Sequence, residues 1–179
     1  MSDLSDDRIT LRPWALADAE AIAEAFDGDP EIARWLDNVP QPYTVDDARA
    51  WLTSTTEQAY GVFDRDSGEL LGGVGIRWNE SRDVAEVGYW THRRARGRGV
   101  MTRAVAIVSR LALEREGAAR VQLRADPENV ASCRVAEKVG FTLEGVLRSA
   151  HWNARLGRRQ DHRLYSLLRD EVERLPTWR

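Results

Sequence analysis

EVGYWTHRRARGRGVMTRAVAIVSRLALERE, residues Glu86 to Glu116, joins a strand, a glycine-rich turn and a helix. The strand, Val84 to Thr91, is rich in β-branched and aromatic residues. The turn is Arg94-Ala95-Arg96-Gly97-Arg98-Gly99. In the helix that follows, Met101, Ala104, Val105, Val108, Leu111 and Ala112 recur at the spacing of one apolar face, and Gly117 is the stop. The first turn of a helix carries backbone N–H groups with no internal partner and the positive end of the dipole. Glycine has no Cβ, so an anion can approach that backbone closely. A tight turn with solvated arginines is the plainer reading of two glycines alone. The agreement of strand, turn, arginines and helix favours a phosphate or pyrophosphate site. No Gly-Lys-Ser/Thr follows, and the third glycine of the dinucleotide fingerprint is absent.

Working outward, 179 residues suit one domain with a full core, residues 1–179. A hydrophobic share of 42% and a charged share of 31% fit a water-exposed globular chain. The net charge of −3 argues against a general nucleic-acid binder. The single cysteine, Cys133, allows no internal disulfide and fits a reducing compartment. The acidic N-terminus has no signal-peptide core, and no stretch is apolar enough to span a bilayer, so a cytoplasmic protein with no membrane partner is expected.

Along the chain, strands are expected at Ile9–Trp14, Tyr60–Arg65, Leu70–Trp78, Val84–Thr91, Arg120–Ala125, Phe141–Leu147 and Asp161–Leu168. Helices are expected at Ala15–Phe26, Glu31–Leu36, Thr44 to about Thr53, the central stretch, and Asn129–Lys138, with a short charged one at the tail. Thr44 with Asp47 makes a capping box, Asn129 caps its helix and Gly140 ends it. Gly72, Gly73 and Gly75 mark a close approach to the second hairpin strand. His151 to Arg159 reads as a polar, basic hairpin loop. The element order fits an α/β (α+β) domain with a mixed sheet and helices on both faces.

The spacing Arg94-x-x-Gly97-x-Gly99 resembles the acyl-CoA signature of the GNAT superfamily of N-acyltransferases. Asn129-x-x-Ser132 followed by Lys138-x-Gly140-Phe141 is similar to its second motif, in the branch of the ribosomal-protein alanine and serine N-acetyltransferases. The element order is also that of the family, so the resemblance covers nearly the whole chain. It implies a mostly antiparallel sheet of about seven strands, splayed between strands 4 and 5, with coenzyme A in the cleft. The cofactor contacts it implies are the backbone of Tyr89, Trp90 and Thr91 for the pantetheine, and Arg94, Arg96, Gly97, Arg98, Gly99, Val100 and Met101 for the pyrophosphate. Asn129 and Ser132 would stand near the rest of the carrier.

For chemistry, Glu86 is an acid inside a largely apolar strand, so it is paired, water-linked or functional. A protonated amine cannot attack a thioester, and a carboxylate of raised pKa can take its proton through water. An ion pair with an arginine is the equal alternative, and the resemblance favours the base. The helical wheel places Ser132 with Ala131, Val135, Ala136 and Val139 on the apolar face. Spacing alone makes it a buried hydroxyl bonded to the cap. The resemblance makes it the donor to the departing thiolate, a task many relatives give to a tyrosine that this helix lacks. Cys133 points to the helix flank as a packing residue, and His92 adds positive charge to the turn. The histidines show no metal-ligand spacing, so no metal is expected. Asp161 is given a structural part. Trp35, Tyr43, His151, Trp152 and Asn153, on the two loops that wall the acceptor site in the family, are the candidates for holding the amine.

The implied activity is transfer of an acetyl group from acetyl-CoA to a small-molecule or peptide amine, with no nucleic acid involved, by a monomer or homodimer. Three alternatives stand beside it: a larger acyl donor such as succinyl-CoA, a non-catalytic acyl-CoA sensor, and a nucleic-acid module built on Arg93–Arg98.

Overall fold

The computed structural model describes residues 4–55 and 57–178. Seven strands form one sheet: β1 (Ile9–Pro13), β2 (Gln58–Asp64), β3 (Leu70–Trp78), β4 (Val84–Thr91), β5 (Arg120–Ala125), β6 (Thr142–Asn153) and β7 (Arg158–Leu168). Their order across the sheet is β1-β2-β3-β4-β5-β7-β6. Every neighbouring pair is antiparallel except β4 and β5, which are parallel. The helices are α1 (Ala19–Phe26), α2 (Pro30–Trp35), α3 (Val45–Ser54), α4 (Val100–Arg110) and α5 (Val130–Val139).

Two apolar clusters cover the two faces. On one, α4 and α5 bring Ala104, Val105, Val108, Cys133 and Ala136 against Val62, Ile76, Ala85, Val121 and Leu167. On the other, α1, α2 and α3 gather Ile22, Phe26, Ile32 and Ala48, with Trp14, Tyr43, Trp51 and Trp90 packed around them. The period of two in β5 explains the division. Val121, Leu123 and Ala125 are buried, while Arg120, Gln122 and Arg124 face the other way. Gly73 makes room for this second cluster. A Cβ there would stand 2.6 Å from Nε1 of Trp90, which stacks on Trp14 at 6.3 Å between ring centroids.

The β4–β5 contact is short. Pairing runs from Val84↔Arg120 to Glu86↔Gln122 and goes no further. On its other edge β4 is paired to its end, from Trp78↔Ala85 to Gly72↔Thr91. Residues Val87 to Thr91 therefore turn one backbone edge into a widening gap. The expected splay between strands 4 and 5 is present, with its apex at Glu86 and Gln122.

One stretch departs from expectation. The polar hairpin loop expected at 151–159 is mostly strand, with His151↔Gln160, Trp152↔Arg159 and Asn153↔Arg158 paired. A two-stranded ribbon with few apolar positions still satisfies its backbone by pairing, so polarity alone misled. A register shift between Leu147 and His151 accommodates Ser149, at φ 56. Asp161 takes the structural part foreseen for it, accepting from the Ser149 N–H at 2.7 Å. Among the described residues no helix is long and apolar enough to cross a membrane.

Leu167 is fully buried between the sheet and the α4–α5 layer. Leu167→Ala should cost about 2–5 kcal/mol of stability, read as a lower denaturant midpoint with an unchanged slope in urea unfolding.

Candidate active site

The mouth of α4 is built as the glycines require. Gly97 and Gly99 hold φ of 75° and 76°, in the left-handed region that side chains resist. A Cβ at either would meet nothing within 4 Å, so the backbone there is open. Val100 and Met101 are buried with their side chains in the core, which leaves their N–H groups at the helix mouth.

The arginines of the turn, expected at the cofactor, carry ion pairs to neighbouring elements. Arg94 pairs with Glu24 at 3.0 Å and Glu69 at 3.3 Å. Arg96 pairs with buried Asp29, which also caps α2, and donates to the Thr91 carbonyl. Arg98 lies 3.9 Å from Asp64. Three guanidinium groups so close together need counter-charge, and the neighbouring elements supply it. The backbone at the mouth of α4 stays open between these pairs, and Arg96 braces the turn to α2. His92 departs from expectation. It is buried, its Nδ1 accepts from the Arg94 N–H at 3.1 Å, and burial holds its pKa below the ordinary value, so it adds no charge.

A cleft of about 890 Å³ opens from the splayed gap. It is lined by Glu86, Tyr89, Trp90, Asn129 and Ser132, and by Trp35, Tyr43, His151 and Asn153 from the expected acceptor walls. Asn129 caps α5, its Oδ1 accepting from the Ser132 N–H at 3.1 Å. The Ser132 hydroxyl is not bonded back into its own helix. It lies 2.9 Å from the Tyr89 hydroxyl. Burial pushes the Tyr89 phenol well above its ordinary pKa, so it stays protonated. This contact itself was not legible in the sequence, where α5 holds no tyrosine and the one beside Ser132 comes from β4. The period of two in β4 was a usable signal: Ala85, Val87 and Tyr89 share the face that meets α4 and α5. The wheel of α5 is rotated slightly from expectation. Ala131 is exposed, and Cys133 sits at the centre of the buried face instead of its flank.

Glu86 points to the opposite face from Tyr89 and is paired. Arg124 Nε lies 3.1 Å away, Arg77 Nη1 3.7 Å, and Gln122 Nε2 donates to it at 2.7 Å. The ion pair with arginine, one of the two readings held for Glu86, is present, with Gln122 as a further donor.

The acceptor wall is tied together at the hairpin. Asp37 accepts from the Ala154 N–H at 2.9 Å and bonds His151 Nε2 at 3.1 Å, and Arg155 donates to the Val39 carbonyl. Asn153 is buried, and its Oδ1 accepts from the Leu156 N–H to close the turn. Trp152, between them, points away. It is 54% exposed and does not line the cleft, unlike the other residues expected at the acceptor. Tyr43 stacks on Phe26, and Trp35 Nε1 donates to Glu31.

The site thus joins an open backbone at the mouth of α4 to parallel strands that part over a cleft. The family model described as "Acetyltransferase (GNAT) domain" matches residues 8–142. The chain belongs to this family and is an acyl-CoA-dependent N-acetyltransferase. It is 26% identical over 179 residues to a Bacillus licheniformis protein named "Uncharacterized N-acetyltransferase p20", covering 96% of this chain and 98% of that one. Its fold matches a GNAT-family acetyltransferase of Bacillus anthracis with a TM-score of 0.85 at 19% identity, over 94% of this chain and 99% of that one. It also matches the ribosomal alpha-N-protein acetyltransferase RimL in complex with coenzyme A, with a TM-score of 0.79 at 18% identity, over 93% and 98% of the two chains.

Arg96→Ala would leave the Asp29 carboxylate buried without its cation. The expected loss is about 1–3 kcal/mol, measured by thermal or urea unfolding, with Arg96→Lys recovering part of it.

Proposed function

We propose that this enzyme moves an acetyl group from acetyl-CoA to a primary amine, on a peptide N-terminus or a small molecule, by direct attack within a ternary complex. The observation that carries the reading is the open backbone at Gly97 and Gly99, at the same end of β4 as its unpaired edge. The N–H groups of Gly97, Gly99, Val100 and Met101 hold the pyrophosphate. The free edge of Val87 to Thr91 pairs with the pantetheine amides as a strand would. That RimL was solved with coenzyme A supports this reading of a shared fold.

At the reacting centre the two faces of the sheet divide the work. On one, the Tyr89–Ser132 pair donates a hydrogen bond and then a proton to the departing sulfur. On the other, the Glu86 carboxylate draws the ammonium group toward the apex of the gap, with water between them. Amides of the parted strand polarise the thioester carbonyl. Trp35, Tyr43 and His151 flank the amine. Holding both reactants in line supplies much of the rate. Such an enzyme suits a cytoplasmic setting, where acetyl-CoA is made and used.

The test is release of free thiol from acetyl-CoA across a panel of amines, N-terminal peptides included. At least one amine should release coenzyme A well above the hydrolysis background. Binding without any turnover would favour a sensor instead. Ser132→Ala and Tyr89→Phe should each lower kcat about 10²-fold, with affinity for coenzyme A nearly unchanged in calorimetry. Gly99→Val should weaken that affinity by about tenfold or more, since a lost charge-assisted hydrogen bond is worth about 1.5–3 kcal/mol.

A further inference from the structure

Glu86 is already engaged on both carboxylate oxygens, which raises the question of which group receives the acceptor's proton. His162 stands in the same cleft. It lies on β7, where Tyr165 and Leu167 face the buried core and Gln160, His162 and Leu164 alternate to the other side. That is the side of Gln122 and Arg124 on β5 and of Glu86 on β4. Its ring stacks on His151, with centroids 5.4 Å apart and planes 17° from parallel. His151 is in turn fixed by Asp37. The stack sets the position of the His162 ring, yet among the described residues neither of its nitrogens is taken up by a hydrogen bond. It is a held imidazole with a free nitrogen in the cleft.

Resting on the acetyltransferase reading above, we propose that His162 is the general base that takes the proton from the acceptor ammonium, with Glu86 attracting and orienting that ammonium. In the step, an N–H bond of the ammonium breaks and its proton passes to an imidazole nitrogen, directly or through one water. The freed lone pair forms the C–N bond at the thioester carbonyl, and the C–S bond breaks. The thiolate collects a proton from the Tyr89–Ser132 pair, which regains one from water, and the imidazolium returns its proton to solvent.

The surroundings keep the ring ready to accept. The groups facing it are His151 from β6, Arg124 from β5, Asp126 from the loop after β5, and Glu86 from β4. Burial, then His151 and Arg124, depress its pKa, and Asp126 and Glu86 oppose them, with the balance below the ordinary value. His162 is therefore neutral at pH 7, the state a base needs.

The experiment is the pH dependence of kcat/KM for wild type, His162→Gln and Glu86→Gln, using the best amine of the panel. Wild type should lose activity as pH falls, through a limb centred below about 6.5. His162→Gln should drop kcat about 10²-fold or more and shift that limb to the amine's own ionisation, with an unchanged melting temperature and affinity for coenzyme A. Glu86→Gln should keep the limb while raising the KM for the amine. An NMR titration of the His162 ring should share the kinetic midpoint. The assignment is overturned if His162→Gln keeps both the limb and the rate, if Glu86→Gln abolishes the limb, or if the ring titrates elsewhere. Turnover by wild type with any of these results leaves the acetyltransferase reading standing. A wild-type enzyme inert toward every amine overturns both.

Discussion

The parting of two parallel strands governs this molecule. Where β4 and β5 stop exchanging hydrogen bonds, past Glu86 and Gln122, backbone groups on β4 are left without a strand partner. Such groups are costly to bury alone, so a gap of this kind persists where water or a ligand can fill it. Everything chemical is arranged around the opening. Glu86 marks its apex, the bared mouth of α4 lies beyond the end of β4, and the Tyr89–Ser132 pair closes it from the α5 side.

Charge is used in two ways that the residue types do not distinguish. The arginines of the turn pair with acids of neighbouring elements. Arg94 ties it to α1 and to the β2–β3 turn, and Arg96 ties it to the cap of α2. At the apex, Arg77 and Arg124 hold Glu86 in place and neutralise part of its charge.

Much of the fold was legible because its signals are local. The spans of β3, β4 and β5, the capping box of Thr44 and Asp47, the Asn129 cap and the stops at Gly117 and Gly140 all depend on residues within one turn of each other. The β6–β7 ribbon was misread because its pairing joins residues such as Trp152 and Arg159, whose polarity says nothing of a partner strand. The site divided in the same way. The glycine turn and the α5 cap were plain from spacing. The Tyr89 phenol on Ser132, the arginines on Glu86, the Asp37 tie to the hairpin and the outward turn of Trp152 were not.

By itself the sequence determined the strand-turn-helix unit and the family it belongs to. Helix mouths, glycine dihedrals and strand periods are properties of short segments, and the motif is one such segment. Only the tertiary structure decided how the ionised groups pair and which groups meet across the gap. Those choices join β4 to β5, α5 and β7, elements far apart in the chain, and spacing along a chain carries no information about which charges will lie within a few ångströms once it has folded.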